Sequence, residues 1–140
     1  MGDYAIKMQF DIAAEPEVVR RALETEDGIT AWWSNRSTLA GSDLRVAFVD
    51  VPQPFEFEVR TGDGALEWVT GGFPPWWKDT TIAFDVAPNP DAPGTRLLFT
   101  HGGYDAANPV IPIVTPAWAQ ILLRLKAYAE TGVRQPFFDF

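Results

Sequence analysis

Between Leu44 and His101 the chain is a succession of short segments in which apolar and polar residues alternate, and a single long helical pattern follows them. Phe55, Phe57 and Val59 alternate with Glu56, Glu58 and Arg60. Ile82, Phe84 and Val86 oppose Thr81 and Asp85, and Leu97 and Phe99 oppose Arg96 and Thr100. A period of two puts each apolar set on one face of a strand. The separators "VPQP", "TGDG", "GGFPP" and "PNPDAPG" carry turn chemistry, because glycine supplies unusual dihedrals and proline cannot donate to a ladder. Strands are predicted over Leu44–Val51, Phe55–Arg60, Ala65–Thr70, Thr80–Val86 and Thr95–His101. Such a run folds as an antiparallel sheet with one wet face and one apolar face.

The apolar face needs a cover, and the last pattern supplies it. A helix is predicted from Pro116 to about Thr131, with Thr115 as cap, Pro116 at the first position and Gly132 as stop. Its stripe is Trp118, Ile121, Leu122, Leu125 and Ala129. Upstream, Ile6, Met8, Phe10 and Ile12 share one face of a first strand. "EPEVVRRALE" and Gly28–Ser34 then read as two short helices, the second with Ile29, Trp32 and Trp33 at helical spacing. The expected fold is α+β: a curved six-stranded antiparallel β-sheet wrapped around a long C-terminal α-helix, with two short helices between the first and second strands. All 140 residues are expected to form one domain.

Composition narrows the function classes. The net charge is -8, and the eight arginines and three lysines are scattered, so neither nucleic acid nor an anionic membrane surface is an expected partner. No apolar run approaches the ~18 residues of a membrane span, and a soluble cytoplasmic protein is expected. Without cysteine and with one histidine, the chain offers no thiolate and too few close ligands for a metal, so no metal and no cofactor are expected. Ser34, Ser37 and Ser42 lie outside any nucleophile elbow. Glu56 with Glu58, and Glu24 with Glu26 and Asp27, read as solvated faces and helix-start charges.

What remains is aromatic: 10 Phe, 6 Trp and 3 Tyr. Strand phase turns Trp68, Phe99 and His101 inward, and Trp118 and Leu122 face the sheet from the helix. Counting back from Phe84 and Ile82 puts Trp76 inward, as a roof, and Trp77 outward, toward solvent or a partner. Trp33 leans toward the mouth of the space between sheet and helix. Tyr104 follows His101 on the next corner. His101 reads either as a structural histidine or as a polar contact and general acid or base. It is the best catalytic candidate.

The stretches "MQFDIAAEPEVVRRALETEDGITAWWS", "TTIAFDVAPNPDAPGTRLLFTHGGY" and "PAWAQILLRLKAYAETG" resemble, in this order, the activator of heat-shock protein 90 ATPase homologue family, within the START-like superfamily of polyketide cyclases and birch-pollen allergens. The resemblance covers nearly the whole chain. Its most specific parts are the strand from Gly94 to the corner at Tyr104 and the tryptophan-led helix from Trp118 to Gly132. It implies a helix-grip fold with a hydrophobic cavity for a lipid, a polyketide or an aromatic compound. The ligand-binding set is then Trp33, Trp68, Trp76, Phe99, His101, Tyr104, Trp118 and Leu122. A cyclase or hydratase using the same cavity is one alternative. A self-associating homodimer or chaperone-interaction module, using Trp77 with Phe137, Phe138 and Phe140, is another. The eukaryotic activator carries an additional chaperone-binding domain for which 140 residues leave no room, so the chaperone partner ranks last.

Overall fold

The computed structural model describes residues 2–62 and 65–140; Asp63 and Gly64, in the predicted "TGDG" separator, lie outside the described residues. The elements run β1 Tyr4–Ile12, α1 Pro16–Glu24, α2 Glu26–Trp32, β2 Ser37–Ala40, β3 Asp43–Val46, β4 Phe55–Thr61, β5 Ala65–Thr70, β6 Thr81–Pro88, β7 Thr95–Tyr104 and α3 Ile111–Thr131. Among the described residues the strands form one antiparallel sheet in the order β1-β7-β6-β5-β4-β3-β2. Consecutive hairpins lie side by side from β2 to β7. Only β1 departs from this: it pairs with β7, so α1 and α2 carry the chain from one sheet edge to the other.

Seven strands stand where six are expected. "STLA" pairs with "DLRV" through Leu39 opposite Leu44, with Gly41 in the left-handed region at φ 62°. A four-residue strand with one large apolar side chain shows too little alternation to be read from sequence. The strand predicted over Leu44–Val51 ends at Val46, and Asp50 at φ 63° belongs to a turn.

Register carries the inward face across the sheet. Leu66 pairs with Phe84, Trp68 with Ile82, Phe84 with Phe99, and Ile82 with His101. These side chains are buried, while Arg96, Leu98 and Thr100 alternate outward. α3 lies on this face through Trp118, Ile121, Leu122 and Leu125, all buried. The helix starts earlier than predicted, at Ile111, with Pro112 in its first turn and Pro116 inside it. Thr115 is not a cap; its hydroxyl donates to the Ile111 carbonyl at 2.6 Å. The predicted stop holds, since Gly132 sits at φ 79° and its N–H donates to Tyr128.

α2 begins two residues before the expected Gly28, with the Thr25 hydroxyl accepting from the Gly28 N–H at 3.0 Å. Gly28 is where α2 crosses α1, and a Cβ there would stand 2.6 Å from the Ala22 backbone. That close approach lets the Trp32 indole donate to the Ala22 carbonyl at 2.8 Å. Beyond α3, residues 133–140 turn back over the body, and Ser34 forms a parallel bridge with Phe138.

Candidate functional site

The interior between sheet and helix is filled with rings. Trp32, Trp33, Trp68, Trp77 and Trp118 are at most 3% exposed and form one contiguous assembly. Trp33 stacks on Trp32 at 5.9 Å and on Trp68 at 5.4 Å, with planes within 9° of parallel. Trp118 joins this stack to Trp77, which lies 6.1 Å away at 13°, and packs on Phe99 at 4.7 Å. Trp33, Trp68, Phe99, Trp118 and Leu122 from the expected set are thus all brought into the space between sheet and helix.

Trp76 is not. It is 46% exposed, whereas Trp77 is buried. The strand phase that placed Trp76 inward does not extend that far back, because Pro75–Trp77 is a turn of 3-10 helix. Two successive prolines cannot continue a paired strand, and three residues per turn replace the period of two. Trp77 meets His101 edge-on at 4.8 Å and Phe55 at 5.0 Å. The double proline at Pro74–Pro75 is the sequence signal that could have reversed the assignment.

His101 and Tyr104 form the polar part of the interior. Trp118 Nε1 lies 3.0 Å from His101 Nδ1. An indole N–H only donates, so Nδ1 accepts and the imidazole carries its proton on Nε2. Nε2 donates to Thr80 Oγ1 at 3.0 Å, and Thr80 in turn donates to the Trp77 carbonyl at 2.6 Å. The Tyr104 hydroxyl approaches Nδ1 at 3.3 Å. Burial pushes the His101 pKa down to about 3, so the ring is neutral at ordinary pH. Burial also pushes the Tyr104 phenol well above its usual range; the Trp77 indole N–H pulls the other way, without reaching hydrogen-bond geometry. Neither imidazole nitrogen is free to exchange a proton with a substrate. The arrangement ties β7, α3 and the Trp77 turn together.

The cavity left by this packing is small. About 50 Å³ remains where α3 meets the returning segment, against Trp33, Trp77 and Trp118. Val114 and Ile121 line it from the helix, and Phe137 and Phe138 from the returning segment. It is smaller than the ~150 Å³ apolar cavity that takes benzene in an engineered protein. The indole N–H groups of Trp33, Trp68 and Trp77 are buried with no acceptor among the described residues. Sequence reasoning missed Trp77 and Phe138 as lining residues, since a 3-10 turn and an irregular returning segment have no period of two to read, and missed Val114 because the helix was predicted to start only at Pro116.

A larger depression of about 570 Å³ lies on the surface between α1, α2 and the end of α3. It is lined by Arg21, Asp27, Tyr128 and Arg134 among others, and Arg134 pairs with Asp27 at 3.2 Å. Among the described residues no cluster of His, Asp and Glu could hold a metal. Among the described residues no helix is long and apolar enough to cross a membrane.

No family model matches the chain, and no curated protein matches it. Solved structures do. The Aha1 dimer from Colwellia psychrerythraea is 27% identical, with a TM-score of 0.80 over 92% of this chain and 98% of that one. The chain shares the Aha1 fold. A protein from Staphylococcus saprophyticus, 15% identical, superposes with a TM-score of 0.75 over 97% of this chain and 98% of its own. DynU16, a protein in the dynemicin biosynthetic locus, is 18% identical with a TM-score of 0.74; 99% of this chain covers 51% of that one. These two show the helix-grip fold.

Proposed function

We propose that the chain is a START-like helix-grip domain that binds a small hydrophobic molecule between the sheet and α3. The observation that carries this reading is the group of three buried indole N–H donors without acceptors among the described residues, on rings of which two, Trp33 and Trp77, line an apolar cavity. Unpaired buried donors are rare in native interiors, each costing about 1–3 kcal/mol. A ligand oxygen relieves that cost. Rings stacked nearly parallel, as Trp77 and Trp118 are, offer faces to a flat molecule. A cytoplasmic location goes with this reading.

Tryptophan fluorescence tests it directly. Adding a panel of fatty acids, sterols and aromatic ketones should quench or shift the emission and raise the melting temperature for at least one class. A panel that leaves both unchanged overturns the proposal. The cyclase reading loses its best candidate, because His101 has both nitrogens engaged inside the protein. The chaperone reading loses part of its expected surface, because Trp77 is buried and Phe137 and Phe138 pack on the body.

Self-association is a second reading. The Colwellia protein is described as a dimer, and α3 here shows solvent an outer stripe with Ile113 and Leu123, beside Val133, all more than half exposed. Leu123 and Val133 line a shallow groove of about 290 Å³ with Ala127. Light scattering should give twice the chain mass, and Leu123→Glu should return it to one.

A further inference from the structure

The cavity that Phe137 and Phe138 line is too small for any ligand of the proposed class, so something must leave before one enters. The rings of the sheet and α3 are locked by mutual packing and by the His101 network. The segment after Gly132 is held differently. Its long-range backbone bonds run to the last turn of α2 and the residues just after it: Gln135 N–H to Ala31, Phe137 N–H to Trp32, Phe138 N–H to Trp33, and Asn35 N–H back to Phe138. Outside these, Arg124 reaches the Gln135 carbonyl, Arg36 and Asn35 reach the Phe140 main-chain oxygen, the Phe140 N–H donates to Asn35 Oδ1, and Arg134 reaches Asp27 and Thr30, all at exposed positions. Phe137 and Phe138 are only half-buried, with Phe138 set 4.2 Å from Phe48. The side-chain tethers are all solvent-exposed and the two rings are half in water, so the segment is less firmly held than the rings it packs on.

We propose that residues 133–140 are a displaceable plug, and that the site they close takes a flat, neutral, ring-containing molecule bearing a carbonyl oxygen. The phenylalanines stand in for that ligand, filling apolar space but offering no acceptor to the indole of Trp33. A carbonyl ligand replaces their rings and supplies the missing acceptor. Charge is disfavoured, because the cavity wall carries no cation and an unpaired buried charge is costly. This inference rests on the hydrophobic-ligand reading above and adds a gate and a polar contact to it.

The test compares 2-acetylnaphthalene with 2-ethylnaphthalene, which matches its shape but lacks the oxygen, on the full chain. The ketone should bind about fivefold more tightly, the effect of one neutral hydrogen bond. Its binding should remove hydrogen-exchange protection from the amides of Phe137 and Phe138. Phe138→Ala should bind the ketone more tightly still, because the competing ring is gone. Equal affinity for the two compounds overturns the role of the indole donor. Binding with the Phe137 and Phe138 amides still protected overturns the plug and leaves hydrophobic binding standing. If neither compound binds the natural chain or Phe138→Ala, the inference falls together with the reading beneath it.

Discussion

Trp118 Nε1 stands 3.0 Å from Nδ1 of His101, a donor-only group facing a nitrogen that must therefore accept. Protonating His101 would set two N–H groups against each other in a buried place. The histidine that looked most like a catalytic base is thus bound to its neutral form by geometry as well as by burial.

A pH dependence follows. The ordinary histidine pKa is 6.5, and the folded value is about 3, so the unfolded chain takes up a proton that the native chain refuses. Stability from this group is complete above pH 6.5 and falls as the pH drops, by about 1.4 kcal/mol per unit at most. Urea unfolding at pH 7, 6, 5 and 4.5 should show the loss. His101→Gln should flatten it, since the chain has no other histidine.

Truncating the histidine removes the keystone of four groups. His101→Ala leaves the Trp118 indole without its acceptor and Thr80 without its donor, with a void beside them. The expected cost is about 2–4 kcal/mol, measured by denaturant unfolding. A change below 0.5 kcal/mol, roughly the size of a surface substitution, would contradict the network.

The two adjacent tryptophans should differ sharply. Trp77→Ala empties a site packed against Phe55, His101 and Trp118 and should cost about 3–5 kcal/mol. Trp76→Ala should cost about 1 kcal/mol or less, because that ring is half in water. Iodide quenching should correspondingly act on Trp76 and spare Trp77.

Glu130 fastens the end of α3 to the β1–α1 loop. Its carboxylate accepts from the Ala13 N–H at 2.8 Å and from Lys126 at 2.7 Å, and these hold its pKa below the usual value, the backbone bond contributing most. Glu130→Ala should cost about 1 kcal/mol, discounted for partial exposure. In the natural chain this contribution is present above the ordinary carboxylate pKa and is lost as the pH falls through the lowered one.

Gly28→Ala is expected to destabilise, although alanine is the better helix former. The new methyl would meet the Ala22 backbone at 2.6 Å and push α2 off α1, at about 1–3 kcal/mol. Thermal unfolding read by near-ultraviolet circular dichroism would also register displaced Trp32 and Trp33.

What the sequence determined by itself was everything with a local period. Alternation at Phe55–Val59, Ile82–Val86 and Leu97–Phe99 marked the sheet and its dry face, and Trp118, Ile121, Leu122 and Leu125 marked the helix face that covers it. Each such signal arises because neighbouring side chains share one surface, so a few residues suffice to reveal it. Tertiary structure decided the rest. That Trp77 and not Trp76 turns inward depends on a 3-10 turn docking against His101 and Phe55. That His101 accepts rather than donates at Nδ1 depends on an indole 17 residues away. That Phe138 lines the cavity depends on a segment returning to residues 31–35, about a hundred positions earlier. These are contacts between parts of the chain that are not neighbours in sequence, and no local pattern encodes them.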